Sequence, residues 1–317
     1  MANASGIITK ELEFFESSIQ VFDVEEVNSS SADDCFQQRE EIALIYDALI
    51  VGVRDYFEKS GFQKAIVGLS GGVDSALVVA LAAQALGPEN IFSVMMPSQY
   101  SSEHSISDSM DLVNNLGSPH AIVPIEEAYH VFEKSLAPQF EGWAADVTEE
   151  NLQARIRGLY LMAFSNKWGH ILLNPTNKSE VAIGYGTLYG DMNGAIGVIG
   201  DLYKTQVYDL CKYINRNGVI IPVNILTKPP SAELRPDQKD SDSLPDYDIL
   251  DDILYRFIEK YESQQEIIDA GHNAAVVQRI VRLVQRGEFK SRQTPPYLKV
   301  SSKSLGQNRS LPVVAKF

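Results

Sequence analysis

The chain has 317 residues, 44% of them apolar, and a formal net charge of −15, enough apolar material for one large α/β domain or at most two. The acidity opposes broad contact with a nucleic-acid backbone, which depends on clustered Lys and Arg, and no apolar run approaches the ~20 residues of a membrane span. There is no basic-then-apolar signal pattern, and two cysteines, neither in a Cys-x-x-Cys pair, make neither a disulfide framework nor a four-thiolate metal site, so a cytoplasmic protein with reduced thiols and no nucleic-acid or membrane partner is expected.

Residues 1–36 hold one amphipathic piece, Glu11 to Phe22, and the polar run Asn28-Ser-Ser-Ser-Ala-Asp-Asp34. They read as a linker or arm ahead of a domain over 37–317. Ile42, Tyr46, Leu49, Val53 and Phe57 recur at helical spacing and predict a buried helix of about five turns. Lys64 to Leu69 is a short β-rich run, and Ala76 to Leu86 is a helix former closed by Gly87-Pro88.

The turn between those two carries the chemistry. Gly71 and Gly72 let backbone approach a ligand, and the helix that follows points its N-terminus at the same place, an anion cradle. Ser70 and Ser75 add hydroxyls, and the absence of Gly-x-x-x-x-Gly-Lys excludes the Walker loop. Asp74 is the informative member. Asp and Ser are good first-turn residues in any helix, but a carboxylate beside bound phosphate repels it unless a divalent cation lies between, which points to magnesium.

Asn90 to Met96 is a second strand, followed by the loop Pro97 to Ser102, helix 103–116, strand His120 to Ile125 and helix Glu126 to Leu136. This alternation predicts an α/β fold, a doubly wound, mostly parallel sheet with helices on both faces and ligands beyond the strands' carboxyl ends. Thr148 to Arg157 opens a long helix with a capped, acidic first turn, on which Asn151 and Arg155 share a face. On spacing alone such residues are more often solvated or capping than ligand-binding.

Strand His170 to Leu173 runs into Asn174-Pro-Thr-Asn-Lys-Ser-Glu180, on the same rim as Asp74, which makes Glu180 a candidate second metal carboxylate. Tyr185-Gly-Thr-Leu-Tyr-Gly-Asp191 suits close approach to a planar ligand, or is an ordinary turn. Helix 204–217 starts with Lys204, a cation where the helix dipole disfavours one, which an anionic ligand there would explain. Residues 224–247 form the longest stretch without periodicity, rich in Pro and Asp, and suggest a lid. Ile249 to Tyr261 and Ala274 to Arg286 are two amphipathic helices. The tail, from Lys290 and again from Lys299 to Phe317, is relatively basic.

The hexapeptide Ser70-Gly-Gly-Val-Asp-Ser75 resembles the signature of the ATP pyrophosphatases. In order along the chain, Gly68-Leu-Ser-Gly-Gly-Val-Asp-Ser75, Met95-Met-Pro-Ser-Gln-Tyr-Ser-Ser102, Glu150-Asn-Leu-Gln-Ala-Arg155, Asn177-Lys-Ser-Glu180, Tyr189-Gly-Asp191, Pro229-Pro-Ser-Ala-Glu-Leu-Arg-Pro-Asp-Gln238 and Asp242-Ser-Leu-Pro-Asp-Tyr247 are similar to the NAD synthetases, specifically the synthetase portion of the glutamine-dependent type, from about Glu40 to Phe317. The resemblance implies an adenine-nucleotide alpha-hydrolase-like fold in which Gly68, Leu69, Ser70, Gly71, Gly72, Val73, Asp74 and Ser75 cradle the phosphates of ATP, Lys204 and Ser231 contact phosphate, and Asp74 and Glu180 hold Mg2+. Asn151, Arg155, Glu180, Tyr185, Gly186, Thr187, Leu188, Asp191 and Lys290 would hold deamido-NAD. Pro175 and Thr176 stand where the family has Thr-Gly at the ATP, and proline offers neither hydroxyl nor N–H.

The implied activity is a carbon–nitrogen ligase that adenylates the nicotinate carboxylate of deamido-NAD and passes the acyl group to ammonia, with Asp74, Glu180 and Lys204 as its catalytic residues, in a homodimer. Rival readings are another ATP pyrophosphatase, such as a GMP synthetase, and a non-catalytic adenine-nucleotide-binding module. In the glutamine-dependent type an N-terminal amidase domain carries a nucleophilic cysteine, and the residues ahead of Glu40 are too few for one. Cys35 sits beside Asp33 and Asp34, whose charge raises a thiol's pKa, and Cys211 lies at a packed helical position. This polypeptide alone is therefore expected to use free ammonia, with any glutamine route supplied by a partner or an amidase domain outside it.

Overall fold

In the strands, alternate side chains go to opposite helical layers, which is what fixes the architecture. The computed structural model describes residues 1–29, 39–236 and 238–306. After a short helix, α1 (Val24–Ser29), the helix α2 (Glu41–Ser60) leads into β1 (Ala65–Gly68), α3 (Val73–Leu86), β2 (Ile91–Met95), α4 (Glu103–Leu116), β3 (His120–Ile122) and α5 (Glu126–Leu136). The long α6 (Val147–Trp168), β4 (Ile171–Asn174), α7 (Lys178–Ile183) and β5 (Ile196–Gly197) complete the sheet, whose strands are all parallel in the order β3-β2-β1-β4-β5. Ala65 and Val67 of β1, with Ile91 and Met95 of β2, face the layer of α2, α3 and α8 (Lys204–Ile214). Ile66 and Val94 face α5 and α6. The fold is thus the expected doubly wound one, and the order reverses at β1, so its carboxyl end opens into the crevice where such sheets bind ligands.

Local signals explain the element ends. Helix α3 is apolar on every side and buried along most of its length, as suits a helix enclosed by others. Ser102 caps α4, and Asp146 with Glu149 forms a capping box on α6. The strand expected to run to Ile125 ends at Ile122, although Val123 and Ile125 still donate to Met95 O and Pro97 O around Pro124, which has no N–H to give. Of the five expected core positions on α2, Leu49, Val53 and Phe57 are buried, while Ile42 and Tyr46 pack half-buried against the core's edge.

The amphipathic piece Glu11 to Phe22 forms no helix and turns at residues 14–16. Two expectations are corrected. The stretch 224–247 is not irregular throughout, since α9 (Val223–Thr227) enters it and a 3-10 turn spans Asp240–Asp242. After α10 (Tyr247–Ile258), a short α11 (Gln264–Asp269), capped by Ser263 and Glu266, precedes α12 (Ala274–Ser291), which runs past Arg286. Helices α7, α10 and α12 share a second core. There the backbones of α7 and α12 nearly touch: a Cβ on Gly287 would meet Gly184 N at 2.7 Å. No helix among the described residues is long and apolar enough to cross a membrane.

Candidate active site

The loop 69–72 turns the chain from β1 into α3. Gly71 has φ +78° and faces Ser105 O so closely that a Cβ would lie 2.4 Å from it, so the position excludes a side chain on conformation and space alike. Ser75 Oγ donates to Gly72 O at 3.1 Å and accepts from Ser70 N at 3.2 Å, while Gly72 N donates to Ser70 Oγ at 3.2 Å. The two serines therefore hold the loop's shape. Gly72, extended and without a side-chain cap, begins α3 and leaves its first turn facing the cavity.

Two carboxylates converge there. Asp74, on that first turn, accepts from Lys204 Nζ at 2.5 Å through Oδ2 and from Asn177 Nδ2 at 2.9 Å through Oδ1. Glu180 accepts from Asn177 N at 3.3 Å through Oε2, and its Oε1 is 3.6 Å from Lys204 Nζ. Both acid side chains are 17% exposed and Lys204 only 3%. Burial, then the neighbouring charge of Asp74, pushes the Glu180 carboxyl well above its ordinary range. Burial would lower the Lys204 ammonium, but Asp74 and Glu180 outweigh it and hold it above its ordinary value. The anionic ligand expected at the start of α8 is not needed to explain Lys204, because the chain's own Asp74 and Glu180 face it. With both acids ionised, one lysine between them leaves a surplus negative charge, and the raised pKa of Glu180 is the cost of holding that charge with no further cation. Magnesium is held by one or two carboxylates with phosphates and waters, and a pair of acids short of one positive charge fits it; among the described residues no three His, Cys, Asp or Glu groups assemble into a fuller cage.

The cavity measures about 310 Å³. One wall is a face of α6, on which Ala154, Arg157, Gly158 and Leu161 recur at helical spacing. Arg157 Nε donates to Met96 O at 3.0 Å, and burial pushes its pKa down to about 10 against the pull of Asp191 and Glu233. The opposite wall is the segment 228–234. Glu233, at φ +50°, accepts from Ser102 Oγ at 2.9 Å and Ser105 Oγ at 2.7 Å. Gln153 Nε2 donates to Leu234 O at 2.9 Å, and Lys228 Nζ to Ser105 Oγ at 3.1 Å.

Of the residues singled out in sequence, Gly68, Leu69, Ser70, Gly72, Val73, Asp74, Ser75, Pro175, Thr176, Glu180, Tyr185, Asp191, Lys204 and Ser231 line this cavity. Gly71 shapes it from behind. Asn151, Arg155, Gly186, Thr187, Leu188 and Lys290 do not line it; they meet on an adjoining rim. Thr187 Oγ1 donates to Asn151 Oδ1 at 2.7 Å, Arg155 Nε to Leu188 O at 3.2 Å, and Lys290 Nζ to Gly186 O at 2.7 Å. Asp191 joins rim to cavity, since its Oδ1 accepts from Thr187 N at 2.7 Å. Thr176 N donates to Asn174 Oδ1 at 2.9 Å, which settles that loop without help from Pro175.

Sequence reasoning missed Arg157, Lys228, Glu233 and Asn177. Arg157 lay two residues from Arg155, on the other side of the helix, and only the small neighbours Ala154 and Gly158 marked its face as the open one. Cys211 is fully buried, and burial drives its thiol far above its ordinary pKa; Cys35 lies outside the described residues, as do 307–317 of the basic tail.

The model of the NAD synthase family matches residues 45–295. The glutamine-dependent NAD(+) synthetase of Synechocystis sp. is 52% identical over 273 residues, 86% of this chain and 49% of that protein. That of Acinetobacter baylyi is 46% identical over 295 residues, 92% of this chain and 54% of the relative. The chain therefore spans about half the length of these curated relatives. Among solved structures, a glutamine-dependent NAD+ synthetase from Acinetobacter baumannii in complex with ADP superposes with TM-score 0.61 at 41% identity, over 89% of this chain and 51% of that one. An NMN synthetase from Francisella tularensis superposes with TM-score 0.68 at 28% identity, over 80% of this chain and 96% of that one.

Proposed function

The chain belongs to the NAD synthase family, and from that premise we propose that it amidates deamido-NAD to NAD at the expense of ATP, with ammonia as nitrogen donor. A carboxylate is a poor acyl donor because oxide would have to leave. In the proposed first step a nicotinate carboxylate oxygen bonds to the α-phosphorus of ATP, the bond to the β-phosphate oxygen breaks, and pyrophosphate departs. In the second, ammonia attacks the acyl carbon, AMP leaves, and one proton is released to give the amide.

The protein's part is positioning and charge neutralisation. The turn 68–75 receives the phosphates, with the first turn of α3 aimed at them. Asp74 and Glu180 would hold magnesium, which when bound offsets charge on the triphosphate. Lys204, released from Asp74, and Lys228, on the segment 228–234, add cations at the same end, and Ser231 lines it too. Arg157 supplies positive charge on the α6 wall. The rim of Asn151, Arg155, Tyr185 to Leu188, Asp191 and Lys290 takes the rest of the dinucleotide. Segment 224–247 closes over the nucleotide, and its cleavage in limited proteolysis should fall when ATP and magnesium are added. A cytoplasmic homodimer, with residues 1–36 as an arm on a synthetase domain of 37–317, completes the proposal.

The observation that carries this reading is the meeting of Asp74, Glu180 and Lys204 at the glycine turn inside one cavity. Incubation with ATP, magnesium, ammonium and either deamido-NAD or nicotinate mononucleotide, followed by chromatography, tests it. AMP and NAD appearing together only with deamido-NAD support it; a nucleotide-binding module would release no AMP, and amidation of the mononucleotide alone would move the substrate. Glutamine in place of ammonium should fail with this polypeptide, and glutamine-driven turnover abolished by Cys35→Ala or Cys211→Ala would overturn the ammonia assignment.

A further inference from the structure

We infer that Asn177 is a positioning residue that decides which oxygens of Asp74 and Glu180 face the cavity, and thereby sets affinity for the divalent cation. The inference rests on the proposed role of those two acids as metal carboxylates.

Asn177 is fully buried and starts α7 in an extended conformation. Its side chain works in two directions. Oδ1 accepts from Glu180 N at 3.0 Å, the ordinary cap, while Nδ2 donates to Asp74 Oδ1 at 2.9 Å across to α3. Its own N–H donates to Glu180 Oε2 at 3.3 Å. One residue thus holds an oxygen of each acid, from helices far apart in sequence.

The oxygens left over are Asp74 Oδ2 and Glu180 Oε1, and those are the two directed at Lys204 Nζ, at 2.5 and 3.6 Å. Without the Asn177 amide the Asp74 carboxylate would be free to rotate and present either oxygen, while the backbone N–H of residue 177 would still hold Glu180 Oε2. Among good capping side chains, Ser and Thr accept at the cap but are too short to donate across to Asp74, and Asp has the reach without the donor; only an amide does both. Residues that orient metal ligands through hydrogen bonds typically account for about 10–100-fold in metal affinity.

The test is Mn2+ titrated into the protein with α,β-methylene-ATP, free Mn2+ being read by electron paramagnetic resonance. Asn177→Ser keeps a capping hydroxyl and should bind Mn2+ about tenfold more weakly or worse, with a melting temperature near wild type in metal-free buffer. Asn177→Thr, a second cap-competent variant, should match it. The serine change should cost less in an Asp74→Asn background than in the wild type, because the two residues act through one contact. Cap-competent variants that bind Mn2+ like wild type, while Asp74→Asn and Glu180→Gln bind it weakly, would overturn the inference alone. If those two acid variants also bind like wild type, the metal assignment itself fails.

Discussion

Two buried lysines, the first residues of α7 and α8, show how differently the fold uses a cation. Lys178 Nζ, wholly enclosed, lies within 3.0 Å of Asp201 Oδ1, Glu259 Oε1, Ser301 Oγ and Lys303 O, and 4.7 Å from the Tyr203 ring. Asp201 in turn accepts from Val300 N and Ser301 N, so the cluster staples the segment after α12 to α7. Lys204 Nζ also has two acids and a tyrosine ring, Tyr247 at 5.3 Å, but its acids open onto the cavity. The first cation is saturated by groups with nowhere to go. The second is held by groups that a ligand can reach. A buried charge in this chain is structural when its partners are closed off and functional when they border empty space.

The largest expected effect breaks the open cluster: Asp74→Asn should lower NAD formation by about a hundredfold or more at saturating magnesium, with little change in the urea midpoint because asparagine still suits a helix's first turn. Near-normal turnover would remove Asp74 from the metal site. Next comes the closed cluster. Lys178→Met leaves Asp201 and Glu259 buried without their cation and should cost about 3–5 kcal/mol in urea denaturation, whereas Lys204→Met should cost less stability and more turnover. Equal stability losses for the two would break the comparison. Gly71→Ala, forced into the left-handed region against Ser105 O, should lose about 1–3 kcal/mol and impair ATP binding.

Acid titration sharpens the contrast further. Burial works to raise the Glu259 carboxyl, but hydrogen bonds from Lys178 and Ser302 hold it below its ordinary value, so its stabilisation is present above about pH 4.3 and lost as pH falls through the lowered pKa. Glu180 is shifted the other way, so its contribution is fully present below about pH 4.3 and declines as pH rises toward its raised pKa. Urea melts across pH should therefore show Glu180→Gln gaining on wild type as pH rises and Glu259→Gln gaining on it as pH falls. The smallest effect is chemical: Cys211 should resist iodoacetamide in the native protein, as mass spectrometry would show.

Much of this was legible because each signal was local. The strand-turn-helix at 65–86, the capped first turn of α6 and the loop glycines follow from residues next to one another. What was not legible needed the fold. Strand β5, two residues long, has no pattern of its own and exists because β4 offers it a ladder. Helix α11 carried a Ser-x-x-Glu box, Ser263 to Glu266, but lies in a run with little apolar periodicity. Lys204 could be recognised as a cation out of place, yet not that its anions would come from α3 and α7. Asn151 and Arg155 read correctly as one face of α6, but spacing could not tell that this face borders the rim while Arg157 borders the cavity.

The near-contact of Gly184 with Gly287 gives the last helix a second hold on the site, apart from Lys290 at its rim. None of the residues of α12 lines the cavity, but any side chain at 287 would sit closer to Gly184 N than real Cβ atoms approach, at 2.7 Å, and something would have to yield by a few tenths of an ångström. Productive sites tolerate only about 0.5 Å of misplacement. A single methyl group on α12 would therefore spend much of that margin by tilting α7, four residues downstream of the Glu180 carboxylate, like a shim slipped behind a hinge.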